Sequence, residues 1–154
     1  MHWFVFVLGT VVTWGVYGVL LHVGQTSMAD PVNGRYKAFL FVGIAYFIIG
    51  VIAPLIMMII NNSSFEFTSK GMTFSFLAGV VGALGAFFVL MAFGAKGTPA
   101  VVMSLVFAGA PIVNAVIAIS IHPTITGLKS LKWQFVAGIL LAALGGYLVT
   151  LYKP

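Results

Sequence analysis

Five apolar runs fill almost the whole chain, at roughly 3–22, 38–60, 72–94, 99–121 and 133–151, and none of them contains an Asp, Glu, Lys or Arg. A hydrocarbon core about 30 Å thick takes about 20 helical residues to cross, so each run is long enough to span it. Inside lipid every backbone N–H and C=O must be paired within the protein, which selects helices for isolated apolar runs of this length. The expected fold is therefore all-α and integral to the membrane, with five transmembrane helices. The connectors are too short for a soluble domain, so residues 1–154 are read as one transmembrane domain.

Composition agrees. Hydrophobic residues make up 62% of the chain and charged residues 6%, against about half and a quarter in soluble domains. The net charge of +5 comes from Arg35, Lys37, Lys70, Lys96, Lys129, Lys132 and Lys153 against Asp30 and Glu66. These are scattered over connectors and helix ends, as membrane loops are decorated. A nucleic-acid partner would need a dense basic face, and none exists. Without cysteine, disulfides, thiol catalysis and cysteine-ligated metals are excluded. No paired carboxylate, nucleophile–base arrangement or histidine box appears, so no enzyme activity, cofactor or metal site is expected.

Ser27-Met28-Ala29 has the small-x-small form of a signal-peptide cleavage site. No Lys or Arg precedes the first run, and it exceeds the usual signal core of about 7–15 residues, so it is read as a retained span. Gly24 to Gly34 reads as a polar connector, with Asp30-Pro31 and Asn33-Gly34 as turn signals. Pro54 is expected to kink the second helix, and Asn61-Asn62-Ser63-Ser64 to stop it. Phe65-Glu66-Phe67 is expected to skim the interface, with Glu66 and Lys70 spaced for an i,i+4 pair. Gly97 suits a helix C-cap, Thr98 an N-cap and Pro99 a first helical position. His122-Pro123 ends the fourth run, and Lys132-Trp133 and Tyr152-Lys153 bracket the fifth as interfacial anchors.

Small residues repeat at spacing four in the third run (Ala78, Gly82, Ala86) and in the fifth (Gly138, Ala142, Gly146). Such stripes let helices approach closely in lipid, within a chain or between subunits. An odd number of spans puts the termini on opposite sides of the membrane. One side then carries Lys70, Lys129, Lys132 and the terminal amine, the other Arg35, Lys37, Lys96 and Lys153, four charges each. Lys/Arg bias normally fixes orientation, and here it is nearly absent, so both orientations in the membrane are open.

The first run carries the main polar and aromatic stripe. At about 100° per residue, Thr13, Trp14, Tyr17, Gly24 and Gln25 fall within roughly 60° of Thr10. Val12, Val16, Val19 and Val23 lie opposite and suit lipid. Polar groups in a span face the bundle or a water-filled cavity, and Trp and Tyr present flat faces to sugars, rings or cations. Thr10, Thr13, Trp14, Tyr17 and Gln25 are thus candidates to line a substrate path. The alternative is hydrogen bonding to a neighbouring helix alone. His22 lies beside the stripe and is the titratable group there suited to proton coupling, or else an interfacial anchor. In the fourth run Ser104, Pro111 and Ala118 share a face flanked by Asn114; Ser104 and Asn114 are candidates for substrate contact or for structural hydrogen bonds.

From Gly82 to Val102 the sequence runs GALGAFFVLMAFGAKGTPAVV. It resembles the EamA-like repeat of the drug/metabolite transporter superfamily: a third helix, a short basic-Gly-small-Pro-Ala turn and the opening of a fourth. Trp133 to Gly138, with its Trp-Gln-x-x-Ala-Gly pattern, and Trp14-Gly15 are similar to family features, the latter most like the sugar-uptake branch. The resemblance implies a five-helix repeat, usually present twice per chain in inverted orientation, and metabolite transport by alternating access. The chain differs in showing one repeat, in having His22 or Gln25 where a basic residue is common late in the first helix, and in lacking the membrane carboxylate of the multidrug branch. The expectation is a transporter of an uncharged or weakly polar small molecule, sugar-like in character, in a plasma or bacterial inner membrane. It would act as a homodimer, with an antiparallel arrangement allowed, and with the path between the first and fourth helices of the two subunits. The rival expectation is a non-transporting accessory subunit that docks another membrane protein.

Overall fold

The computed structural model describes residues 3–121 and 132–152. Within them are five helices long and apolar enough to cross a membrane: α1 (Trp3–Ser27), α2 (Gly34–Ile60), α3 (Ser69–Gly94), α4 (Pro99–Ile121) and α5 (Trp133–Leu151). The described residues form no strand. The chain divides into two compact units, Met1–Lys96 and Gly97–Pro154. The His122-Pro123 stop, Lys129, the Lys153 anchor and His2 lie outside the described residues.

In the first unit the helices run past the apolar stretches that define them. α1 continues through Gln25 and Thr26 to Ser27, so the expected connector from Gly24 shrinks to 28–33. The Thr26 hydroxyl donates to the His22 carbonyl at 3.0 Å and so keeps a polar residue compatible with the helix. α2 starts at Gly34 rather than at Ala38, and α3 at Ser69 rather than at Met72. The loss of apolar character marks the exit from hydrocarbon, not the end of helical hydrogen bonding.

Asp30 organises the short α1–α2 connector. Its Oδ1 accepts from the backbone N–H of Asn33 at 2.8 Å and of Val32 at 3.1 Å, and its carbonyl accepts from Gly34 at 2.8 Å. Its Oδ2 pairs with Lys37 Nζ at 2.7 Å, on the first turn of α2. The Lys37 ammonium, hydrogen-bonded to this carboxylate, lowers the Asp30 pKa from 3.8 to about 2, with the Asn33 amide assisting.

The irregularity expected at Pro54 takes the form of a π-helical turn over Ile48–Ile52, immediately before it. The Ala53 N–H donates to the carbonyl of Ile48, five residues back. Proline has no N–H to continue the ladder, and the wider turn is a common way for a helix to absorb such a break. α2 ends where the Asn-Asn-Ser-Ser run begins, with Asn62 left-handed at φ 49°. The proposed Glu66–Lys70 helical pair does not form: Glu66 lies in the extended connector, so the two are not one turn apart. Thr68 instead caps α3, its hydroxyl accepting from the Gly71 N–H at 3.2 Å. At the far end of α3 the left-handed residue is Lys96 at φ 69°, not Gly97.

The core of the first unit gathers where α1 ends, α2 begins and α3 ends. Leu21, Ala38, Ala86, Val89, Leu90 and Phe93 are buried there, Leu90 completely. Aromatic contacts join α2 to α3: Tyr36 stacks on Phe87 with centroids 6.4 Å apart, and Phe39 meets the same ring at 5.5 Å. The end of α2 and the start of α3, away from this core, are exposed. Residues 53–60 of α2 are exposed apart from half-buried Met58, and residues 69–82 of α3 are exposed throughout. Apolar exteriors of this kind suit lipid.

In the second unit α4 packs on α5. Gly146 is buried at this contact, and a Cβ placed on it would stand 2.7 Å from the Ala108 Cβ. This is one member of the small-residue stripe at work: the absence of a side chain sets the approach of the two helices. Gly138, two turns earlier, has nothing within 4 Å of a hypothetical Cβ.

Candidate functional site

The inward face of α1 is formed by buried Gly18 and Leu21 and half-buried His22 and Gln25, with half-buried Tyr17 beside it. Their spacing of three, four and seven is that of one helical stripe. It lies rotated from a line centred on Thr10 and takes in His22, which the sequence places at its edge. Thr10 and Thr13 are exposed, and each hydroxyl is satisfied one turn back, Thr10 by the Phe6 carbonyl and Thr13 by that of Gly9, both at 2.9 Å. Such bonds make a threonine self-sufficient within an apolar helix. Trp14 is 53% exposed.

Three polar atoms on this face are buried without a hydrogen-bond partner among the described residues: Tyr17 Oη, His22 Nδ1 and Gln25 Oε1. Tyr46 of α2 is the polar neighbour of the Tyr17 hydroxyl and interacts with it electrostatically. The His22 ring meets Phe93 of α3 edge to face, with centroids 5.4 Å apart. An unpaired buried polar group carries a desolvation penalty of about 1–3 kcal/mol, so three on one helix face mark a place where something polar belongs.

The stripe leads into an open cleft of about 400 Å³ lined by Gln25, Thr26, Ala29, Asp30, Pro31, Arg35 and Gly94. It sits at the connector end of the first unit, where α1 stops and α2 starts. Gln25 belongs both to the buried stripe and to the cleft. Asp30, Arg35 and Gly94 were not singled out as site residues by sequence pattern. Arg35 had a signal, being the chain's single arginine beside the Asp30-Pro31 and Asn33-Gly34 turns; the approach of Gly94 is tertiary and left none.

The other two candidates lie in the second unit. Ser104 is half-buried and donates to the Ala100 carbonyl at 2.6 Å, within its own helix. Asn114 is exposed on α4. Among the described residues no three His, Cys, Asp or Glu side chains come together as a metal site would require. No protein family, curated protein or solved structure matches this chain.

Proposed function

We propose that the chain is a multi-pass membrane transporter of a small, uncharged or weakly polar metabolite, acting as a homodimer by alternating access. The observation that supports this reading best is the trio of buried, unpartnered polar atoms at Tyr17, His22 and Gln25 on a spanning helix that carries no charged residue. Polar groups held inside a membrane protein and left unsatisfied by it are where substrates and ions are handled. A hydroxyl, a ring nitrogen and a carboxamide offer both donors and acceptors without fixed charge, a set suited to a hydroxylated, sugar-like molecule. The resemblance to the EamA-like repeat adds the five-helix unit, and one such unit supplies half of the inverted framework on which such carriers are built. A second copy, inserted in the opposite sense, would complete it.

The test is flux. Purified protein in liposomes is screened for uptake of sugars, amino acids and amphipathic cations. Saturable uptake of a neutral solute, lowered by Tyr17→Phe and Gln25→Leu, supports the reading. A screen without saturable flux, from protein crosslinked as a dimer, rejects it.

A second reading, an accessory subunit, draws on a different observation. Residues 53–60 and 69–82 expose apolar surface along half of two helices. Another membrane protein would cover that surface, and copurification of one stoichiometric partner from native membranes, with no flux from the chain alone, would favour it.

A further inference from the structure

Arg35 is a cation with no carboxylate side chain opposite it among the described residues. It is half-buried on the first turn of α2, and among the described residues its guanidinium forms no hydrogen bond or ion pair. The sequence holds two acidic residues. Asp30 is taken by Lys37 at 2.7 Å and by two backbone amides. Glu66 lies in the α2–α3 connector, at the opposite end of α2. Among the described residues no side-chain carboxylate therefore remains to neutralise Arg35. A guanidinium has five donors in a planar fork matched to carboxylate and phosphate oxygens, and leaving them unused in a half-buried position is unfavourable.

The side chain is also held in place. Its guanidinium lies against Gly94, the last residue of α3: a Cβ there would stand 2.5 Å from Arg35 Nη1 and 3.0 Å from Cζ. On its other flank Cζ is 5.6 Å from the centre of the Tyr36 ring. Only a residue without a side chain permits this approach. Ordering a long cation in advance lowers the entropy lost when it binds a ligand. The cleft it lines has room for far more than a bare ion, about 400 Å³, within the range of organic-ligand pockets. Gln25 supplies a second unpaired polar end in the same cleft; turning its amide over exchanges an acceptor for a donor. The Asp30 carboxylate, the one opposing charge in the lining, is offset by Lys37. The whole arrangement sits at the first turn of a spanning helix, the depth at which lipid headgroups lie.

We propose that this cleft binds a phosphate ester, with the Arg35 guanidinium gripping the phosphate oxygens and the Gln25 amide contacting the ester's polar body. The phosphate belongs either to a lipid headgroup or to a soluble metabolite; the chemistry at Arg35 is the same. The site does not depend on transport; it shares Gln25 with the α1 stripe and differs in taking a charged group at Arg35.

The experiment uses the full chain in an uncharged detergent, titrated at fixed ionic strength with dihexanoyl phosphatidic acid and, separately, with glycerol 3-phosphate. Binding is read by calorimetry and by the shift in thermal midpoint. At least one probe should bind saturably. Arg35→Gln should weaken it by about tenfold or more, the scale of a lost charge-assisted hydrogen bond. Lys96→Gln, at the same membrane face but outside the cleft, should leave the affinity unchanged. Gly94→Ala keeps the charge and displaces the guanidinium, so it should weaken binding as well, and it serves if Arg35→Gln fails to fold. Binding of the lipid alone assigns the site to a headgroup; binding of the soluble ester alone assigns it to a metabolite. Absence of saturable binding by either probe, or equal losses in Arg35→Gln and Lys96→Gln, overturns the proposal.

Discussion

His22 of α1 and Phe93 of α3 meet edge to face, their ring centroids 5.4 Å apart and their planes at 81°. Phe93 is 3% exposed, and the Nδ1 atom of His22 is buried without a partner. One side chain thus does two things. Its ring helps join the first helix to the third, and its Nδ1 nitrogen is buried without a hydrogen-bond partner. The two roles respond to different substitutions, which makes them separable.

His22→Phe should keep the aromatic contact and the thermal midpoint of the protein while removing the nitrogen. His22→Asn should keep a polar group and lose the ring. An imidazole is the side-chain type that exchanges protons near neutral pH. If His22 couples protons to transport, both variants should flatten the pH dependence of flux, and only His22→Asn should also lower stability. Unchanged pH dependence in both variants would confine His22 to packing.

Trp14 and Tyr17 should matter to flux and the valines opposite them should not. Trp14→Ala and Tyr17→Ala are expected to lower initial uptake about five- to tenfold, the effect of one lost hydrogen bond or ring contact to a ligand. Val12 and Val19 lie on the opposite side of α1 and carry neither a polar group nor a ring, and Val12→Ala and Val19→Ala should change little. Full flux in the Trp14 and Tyr17 variants would move the path away from α1, and Asn114 on α4 would be the next residue to change.

What the sequence made legible follows from which forces leave a local trace. α4 and α5 begin at Pro99 and Trp133, where proline chemistry and an interfacial aromatic punctuate the chain. α1 runs past the end of its apolar run because a helix propagates through polar residues such as Gln25 and Thr26 at little cost. Lys96 rather than Gly97 takes the left-handed position, a choice between neighbours that intrinsic preference alone does not make. The α1 stripe was legible by periodicity, but its buried centre lies at Leu21 and not at Thr10, because packing on α2 and α3 decides the angle. The threonines fell out of it by bonding their own helix. The meeting of Arg35 with Gly94 left no trace, since it joins the start of one helix to the end of the next.

Orientation is the property most open to direct labelling. With the seven basic side chains dividing three against four across five spans, the usual bias that fixes insertion would be nearly absent. The chain has no cysteine, so single cysteines at Ser64 and Ala95 report cleanly. Each should be labelled from both sides of the membrane, and crosslinking in native membranes should give a dimer. Adding two lysines next to Lys70 should force one orientation and suppress transport, if the working dimer is antiparallel. One-sided labelling of the unaltered chain would leave a parallel dimer or a different partner.

The contact between α4 and α5 tests how the small-residue stripe works. Gly146→Ala puts a methyl 2.7 Å from the Ala108 Cβ, so the helices must move apart, and overpacking of this kind costs about 1–3 kcal/mol. Gly138→Ala meets nothing within 4 Å and gains helix propensity worth up to about 1 kcal/mol. Thermal unfolding in detergent should therefore rank Gly138→Ala at or above the unaltered protein and Gly146→Ala below it. The reverse order would mean that α5 packs through Gly138 instead.

The connector pair Asp30–Lys37 sets an acid limit on the α1–α2 hairpin. The Lys37 ammonium lowers the Asp30 carboxyl from 3.8 in the ordinary case to about 2 in the fold. A carboxyl with a lowered folded-state value stabilises the fold while ionised. That contribution is complete above about pH 4 and fades as pH falls toward about 2. Asp30→Asn removes it, so the unaltered protein should show the higher thermal midpoint above about pH 4, with the gap closing by about pH 2. Lys37→Met removes the largest cause of the shift and should bring the acid transition up toward the ordinary carboxyl value, while the Asn33 and Val32 amides keep part of it low. The Lys37 side chain is 54% exposed, so salt should narrow the gap between Lys37→Met and the unaltered protein. It should act less on the amide contacts to Oδ1. A gap that persists unchanged at pH 2 would show that Asp30 shapes the turn through hydrogen-bond geometry that a neutral side chain supplies as well, and not through its charge.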